Sequence, residues 1–258
     1  MQKFLGHHSI LTTARYTHLT DQTKHHALDR INGLMDGFGI AWYGARPEPG
    51  LFRDVLPAWS DPNLKSLTAQ VQSHLFLAHV RASTGTATSR NNCHPFTHGR
   101  WSFMHNGQVG GYDAFRRDAD MMIPEGLYPH RKGATDSEAL FLVALAEGLG
   151  DDPRSALERA AARFIRLART KGQGPHLRMT AALSDGQRLY AVRYSTDDAA
   201  PSLYHRWSDT RQGRAVVSEP LEAEEGGWEE VPPYSFCTFD GASVRVEDFL
   251  PCRLAAAA

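Results

Sequence analysis

Three short segments of this chain carry side chains suited to handling an amino acid with a cleavable amide. Met104-His105-Asn106-Gly107-Gln108 follows the apolar run Arg100-Trp101-Ser102-Phe103 and offers an Asn carboxamide beside a Gly backbone amide. Two preorganised donors of that kind can stabilise an oxyanion where an amide carbonyl gains negative charge. Upstream lies His79-Val80-Arg81, and downstream Thr135-Asp136-Ser137-Glu138. An Arg, an Asn-Gly pair and an Asp are the groups such a site requires. Each alone has a plainer reading: Arg81 as a surface ion pair, Asp136 as a helix N-cap, Asn106-Gly107 as a type I′ turn. No nucleophile adjoins them in the sequence.

The elements that must position these residues can be read from patterning. The chain has 258 residues, enough for one large domain or two small ones. Its 41% apolar and 22% charged residues suit a chain able to bury a full core. A net charge of −1 gives no general attraction to nucleic acid or an anionic membrane. No apolar run reaches the roughly 18 residues of a membrane span, and the first residues carry no signal-peptide core, so the cytoplasm is the expected compartment. Cys93, Cys237 and Cys252 form no close-spaced pair, and His7, His8, His18, His25 and His26 cluster without a nearby Cys. Neither a metal nor a cofactor is expected.

Asp21 to Leu34 carries Ala27, Leu28, Ile31 and Leu34 at helical spacing. From Asp36 the texture turns to strands: Phe38 to Tyr43, His74 to Val80, Trp101 to His105. Helices are predicted from Ser137 to Leu149, with Thr135 or Asp136 as cap, and from Pro153, where Leu157, Ala160, Ala161, Phe164, Ile165 and Ala168 recur at helical spacing. Arg159, Arg163 and Arg166 fall on other faces and read as a solvated surface. Ser184-Asp185-Gly186-Gln187 and Asp240-Gly241 mark two hairpins, 179–183 with 188–192 and 235–239 with 243–246. Strands, two helices, then more strands give an α+β class with helices layered on sheets. The tail Leu254–Ala258 is expected to fray.

Taken in order, the segments resemble the class II glutamine amidotransferases over about 36–250. The likeness rests on Asp36-Gly37-Phe38-Gly39-Ile40-Ala41-Trp42-Tyr43, Ala78-His79-Val80-Arg81-Ala82-Ser83, His94-Pro95-Phe96, His105-Asn106-Gly107 and Thr135-Asp136-Ser137-Glu138. Ser218-Glu219-Pro220-Leu221, Trp228 and Val231-Pro232-Pro233 resemble the late part of the family. The short stand-alone members, including those that cut γ-glutamyl amides in ergothioneine synthesis, are the most similar. The resemblance implies a four-layer αββα sandwich of the N-terminal-nucleophile hydrolase type and a small-molecule substrate, glutamine or a γ-glutamyl amide. It implies that Arg81 pairs with the substrate α-carboxylate, a role suited to a guanidinium fork. It implies that Asp136 receives the α-ammonium group, and that Asn106 and Gly107 hold the oxyanion. His94 and His105 are expected to be structural, since the family uses no catalytic His.

The chain departs from the family at its start. The family's nucleophile is a Cys directly after the initiator Met, whose own α-amine acts as base; position 2 here is Gln2. The first strand of the family is expected to be missing, leaving the sandwich incomplete. Residues 1–35 instead resemble the C-terminal tail of tyrosine recombinases, through Leu5-Gly6-His7 and Arg15-Tyr16-Thr17-His18. That resemblance implies His7 as the assisting residue and Tyr16 as the attacking one. The recombinase arginines and lysine have no counterpart, so recombination is not expected; DNA binding through 1–35 is the weakest alternative, since Lys3, Arg15, Lys24 and Arg30 are partly offset by Asp21 and Asp29. The division predicted is a recombinase-like segment, 1–35, joined to an amidotransferase-like domain, 36–258. A rearranged locus, a pseudogene or an assembly error would each give this pattern. With no synthetase domain following, hydrolysis or delivery of ammonia to a separate partner is expected over self-contained synthesis. Cys93 adjoins His94, yet neighbours on an extended segment point to opposite faces, so Cys93 reads as a small buried side chain. The expected outcome is an impaired amidotransferase, or a pseudoenzyme that still binds a γ-glutamyl compound.

Overall fold

The computed structural model describes residues 35–82, 87–220 and 227–251. The expected helix over Asp21–Leu34, His7, Tyr16 and the Leu254–Ala258 tail lie outside the described residues, and the predicted division at 35/36 falls where those residues begin. Among the described residues, no helix is long and apolar enough to cross a membrane, and no cluster of three His, Cys, Asp or Glu side chains could hold a metal ion.

Two sheets stack face to face, with helices outside each. The smaller has the order β2-β1-β3, from β1 (Met35–Trp42), β2 (Gly50–Asp54) and β3 (Phe76–Ala82). The larger runs β12-β11-β7-β6-β5-β4. It is built from β4 (Phe96–His98), β5 (Trp101–Gln108), β6 (Arg178–Ser184), β7 (Leu189–Ser195), β11 (Ser235–Asp240) and β12 (Ser243–Asp248). A third small sheet joins β8 (Tyr204–Ser208), β9 (Gly213–Val217) and β10 (Glu229–Glu230). Every pairing is antiparallel.

The period-two alternation of the strands sorts the apolar side chains into three layers. Phe38 and Ile40 of β1 face α1 (Pro62–Gln70) and pack on Leu64. Tyr43, Leu77, Ala182, Ala191, Cys237 and Phe239 fill the space between the sheets. Phe103, Met179, Ala181, Leu183, Val192 and Phe236 face the other way, onto α2 (Tyr112–Asp120), α3 (Asp136–Ala146) and α4 (Pro153–Lys171). The α+β, four-layer αββα sandwich expected from the sequence is the architecture observed.

Two helices went unread in the sequence. In α1 only Leu64 is buried, so the segment shows no apolar stripe; its signal is the cap, Asp61 Oδ1 accepting from Asn63 and Leu64 N–H at 2.7 and 3.0 Å. In α2 the polar run Arg116-Arg117-Asp118 and a non-helical Phe115 hide the pattern. The long α4 behaves as predicted, starting at Pro153 behind the cap Asp152. Its Arg163 pairs with Glu147 at 2.7 Å and its Arg159 with the same carboxylate at 3.3 Å, both at partly exposed positions.

Candidate amino-acid site

Asn106-Gly107 is not a turn. Strand β5 continues to Gln108, with Asn106 opposite Thr180 and Gly107 opposite Met179. The strand was expected to stop at His105 because Asn-Gly-Gln resembles loop chemistry; the partner β6 extends far enough to keep it paired. Gly107 has φ +154°, and a Cβ there would stand 2.0 Å from Arg178 O and 2.6 Å from His105 Nε2. Only glycine fits that approach. Both Asn106 and Gly107 are exposed, whereas His105 is buried.

Helix α3 brings Asp136 to the end of β5. The helix is buried along Ser137 to Ala144, and Phe141 stacks on Phe103 of β5 at 5.4 Å with ring planes 3° apart. Thr135 is the cap, its Oγ accepting from Glu138 N–H at 3.2 Å, which leaves the Asp136 side chain for another use. Asp136 Oδ2 accepts from Val109 N–H at 2.7 Å, two residues beyond Gly107. Its Oδ1 accepts from Ser137 N–H at 2.7 Å. The Asp136 carboxylate thus lies beside the Asn106-Gly107 strand end and keeps part of its surface open to solvent.

The loop leading into α3 is fixed by a buried ion network. Arg131 bonds Glu138 at 2.7 Å, Asp120 at 3.0 Å and the Tyr112 hydroxyl at 2.9 Å, with its side chain only 4% exposed. Glu138 also accepts from the Lys132 and Gly133 amides. Asn92 Oδ1 accepts from Ala134 N–H at 2.7 Å, tying the loop to the segment before His94. A satisfied network of this kind gives rigidity, whereas removing one partner leaves a buried charge exposed to no compensation.

Arg81 belongs to the opposite sheet. It is buried near the end of β3, on the inward face that it shares with His79. On the same face, Gly39 of β1 makes room for the Cys93-His94 segment: a Cβ at Gly39 would stand 2.2 Å from His94 O. Arg53, opposite Gly39 on β2, donates to Cys93 O at 3.1 Å and holds that segment down.

Imidazoles occupy the middle of this region. His79 and His94 lie ring to ring at 4.5 Å, and His94 packs edge-on to Phe96 at 4.6 Å. Burial, with the nearby His105 and the Arg81 charge, pushes His79 down to about 4. Burial also holds His94 well below the usual histidine range, helped by His79, His105, Arg81 and Arg53. These mutual influences put Arg81, His79, His94 and His105 in one neighbourhood. His105 falls below its ordinary value through burial, opposed by Asp136 and by its bond to Arg178 O.

Two cysteines, Cys93 and Cys237, lie among the described residues, both buried. Cys93 Sγ donates to Asp54 O and Ser89 O at 3.5 Å each, turned toward the end of β2. Cys237 lies among the apolar side chains between the sheets, and burial pushes its thiol up to about 11. The structure therefore groups Asn106, Gly107 and Asp136 at one strand end, with Arg81 on the facing sheet. Ser137, which links His105 to Asp136, was not singled out in the sequence; no spacing signal joins residues 32 positions apart.

The chain is similar to known proteins in sequence and in fold. A family described as class II glutamine amidotransferases matches residues 17–199. A Saccharomyces cerevisiae relative, the probable glutamine amidotransferase DUG3, is 36% identical over 270 residues, covering 86% of this chain and 74% of its own length. The γ-glutamyl-hercynylcysteine sulfoxide hydrolase of Mycobacterium tuberculosis is 28% identical over 211 residues, covering 78% of this chain and 74% of its own. A solved glutamine aminotransferase class-II domain protein from Silicibacter pomeroyi superimposes with a TM-score of 0.77 at 57% identity. That match covers 83% of this chain and 91% of the solved one. With a family match over most of its length, this chain belongs to the class II glutamine amidotransferases.

Proposed function

We propose that this chain binds glutamine or a γ-glutamyl amide as a class II amidotransferase does, but cleaves it poorly. Arg81 takes the α-carboxylate and Asp136 the α-ammonium group. Asn106 and Gly107 face the γ-carbonyl, where their two N–H donors would stabilise a tetrahedral oxyanion. The observation that carries this reading is the Val109 N–H to Asp136 Oδ2 bond, which sets the carboxylate next to the Asn106-Gly107 strand end. The name of the mycobacterial relative supports the γ-glutamyl class of substrate.

Impaired cleavage is the reading that the cysteines among the described residues support. Family chemistry needs a thiolate to form the thioester. Among the described residues, Cys93 points its thiol at the Asp54 and Ser89 carbonyls, and Cys237 is buried between the sheets with its thiol held protonated. The residues 1–35, similar to a recombinase tail, are proposed to have joined the amidotransferase-like domain by fusion.

Release of ammonia or glutamate from glutamine and γ-glutamyl amides, measured on the purified chain, tests this. Turnover near background, raised when a Met-Cys start with the family's first strand is supplied, is the expected result. Robust turnover by the unaltered chain that survives Cys93→Ser overturns the impairment; turnover lost in Cys93→Ser assigns the nucleophile to Cys93 instead.

A further inference from the structure

His105, Ser137 and Asp136 form a chain of contacts with more acceptors than protons. His105 Nε2 lies 3.1 Å from Arg178 O, and Nδ1 lies 2.9 Å from Ser137 Oγ. The same Ser137 Oγ lies 3.2 Å from Asp136 Oδ1. A carbonyl oxygen only accepts, so Nε2 carries the imidazole proton. His105 is buried and held below its ordinary pKa, so its Nδ1 is a bare lone pair. The one Ser137 hydroxyl proton therefore has two acceptors, the His105 nitrogen at the shorter distance and the carboxylate at the longer.

Counting lone pairs at Asp136 gives the consequence. Its Oδ1 already accepts from Ser137 N–H and its Oδ2 from Val109 N–H. A carboxylate oxygen takes about two donors. If the Ser137 hydroxyl turned to Oδ1, that oxygen would be saturated and part of the negative charge neutralised. We infer that His105 is a positioning residue that draws the Ser137 hydroxyl proton to its own Nδ1 and leaves the Asp136 carboxylate open for a ligand ammonium group. This rests on the proposed role of Asp136, and extends it to two residues that touch no ligand. It also gives a reason for glycine at 107, since a Cβ there would stand 2.6 Å from His105 Nε2 and push the ring from the orientation where Nδ1 meets Ser137.

The test joins a ligand-free measurement to a mutant cycle. Nitrogen-15 spectra of the imidazoles in the free protein are expected to show His105 with its proton on Nε2, and its Nδ1 resonance is expected to move in Ser137→Ala. A proton on Nδ1 overturns the inference whatever the protein binds. Calorimetry with L-glutamine then compares His105→Gln, Ser137→Ala and the double variant. Gln keeps a donor at the Nε2 position but offers no acceptor at Nδ1, so His105→Gln is expected to weaken binding on the order of tenfold. Ser137→Ala should bind close to the unaltered chain, and adding it to His105→Gln should restore most of the loss. A ring that serves only packing predicts the opposite: a double variant no better than His105→Gln, which overturns the inference. Absence of glutamine binding by the unaltered chain removes the proposed function and the affinity consequence together, while the tautomer still decides where the Ser137 proton lies.

Discussion

The layer between the two sheets treats its polar groups in opposite ways at its two ends. At one end the Tyr43 hydroxyl meets Arg100 O at 2.9 Å, Ser102 Oγ at 2.8 Å and Ser184 O at 2.8 Å. Burial pushes that phenol up to about 12, so it stays a neutral, fully partnered tie between the sheets. At the other end, Nδ1 of His79 and both ring nitrogens of His94 are buried without a hydrogen-bond partner among the described residues. A buried polar group left unsatisfied is destabilising. The first end is built for stability, and the second accepts strain where Arg81 gathers with the imidazoles. A chain selected only for stability would have filled both ends alike.

Four substitutions or conditions sharpen that contrast, and the largest effect is expected at the strained end. Gly107→Ala forces a Cβ to within 2.0 Å of a backbone carbonyl at φ +154°. A loss of about 3 kcal/mol or more in urea unfolding is expected, with glutamine binding abolished. A variant that unfolds like the parent would show that the strand end has room for a Cβ.

Acid should act on the same end. The folded state keeps His79 neutral down to about pH 4, whereas an unfolded histidine titrates near 6.5. Between those values the unfolded chain binds the extra proton. Stability is therefore complete above about pH 6.5 and is lost as the pH falls towards 4, by up to about 3 kcal/mol. Urea unfolding across that window should be steeply pH-dependent in the parent and flatter in His79→Gln. Equal slopes in both would remove the imidazole account.

The satisfied end should respond more mildly and in stability alone. Tyr43→Phe removes the hydroxyl and leaves Ser102 and two carbonyls to relax, so about 1–2 kcal/mol is expected, with unchanged affinity for glutamine. Altered affinity would mean the two ends are coupled. The smallest effect belongs to the outer face of α4. Arg163→Ala breaks a partly exposed pair with Glu147, and a change below about 1 kcal/mol is expected in thermal unfolding.

Much of this contrast was legible in the sequence, but unevenly. Arg81, Asn106 and Asp136 stood out because each side chain carries chemistry, and Gly107 because its backbone amide adjoins Asn106; each sits beside a recognisable strand or helix start. The hairpins at Gly186 and Gly241 were equally plain, since glycine at positive φ closes both turns. Asn106-Gly107 taken alone suggests a turn, and the sequence pattern ends the strand at His105. Only the pairing of β5 with Met179 and Thr180, more than seventy residues away, keeps it a strand. Helices α1 and α2 escaped because so little of each is buried or regular. The contacts of His105 with Ser137 and of Arg53 with Cys93 depend on packing between layers, which no local periodicity encodes.

The central proposal is that Arg81 and Asp136 together hold an amino acid. Titration of L-glutamine into the purified chain and into Arg81→Ala, followed by calorimetry, tests it most directly. Saturable heat in the unaltered chain, weakened on the order of a hundredfold in Arg81→Ala while the fold survives, is the predicted result. No heat in the unaltered chain, or equal affinity in both, contradicts the account.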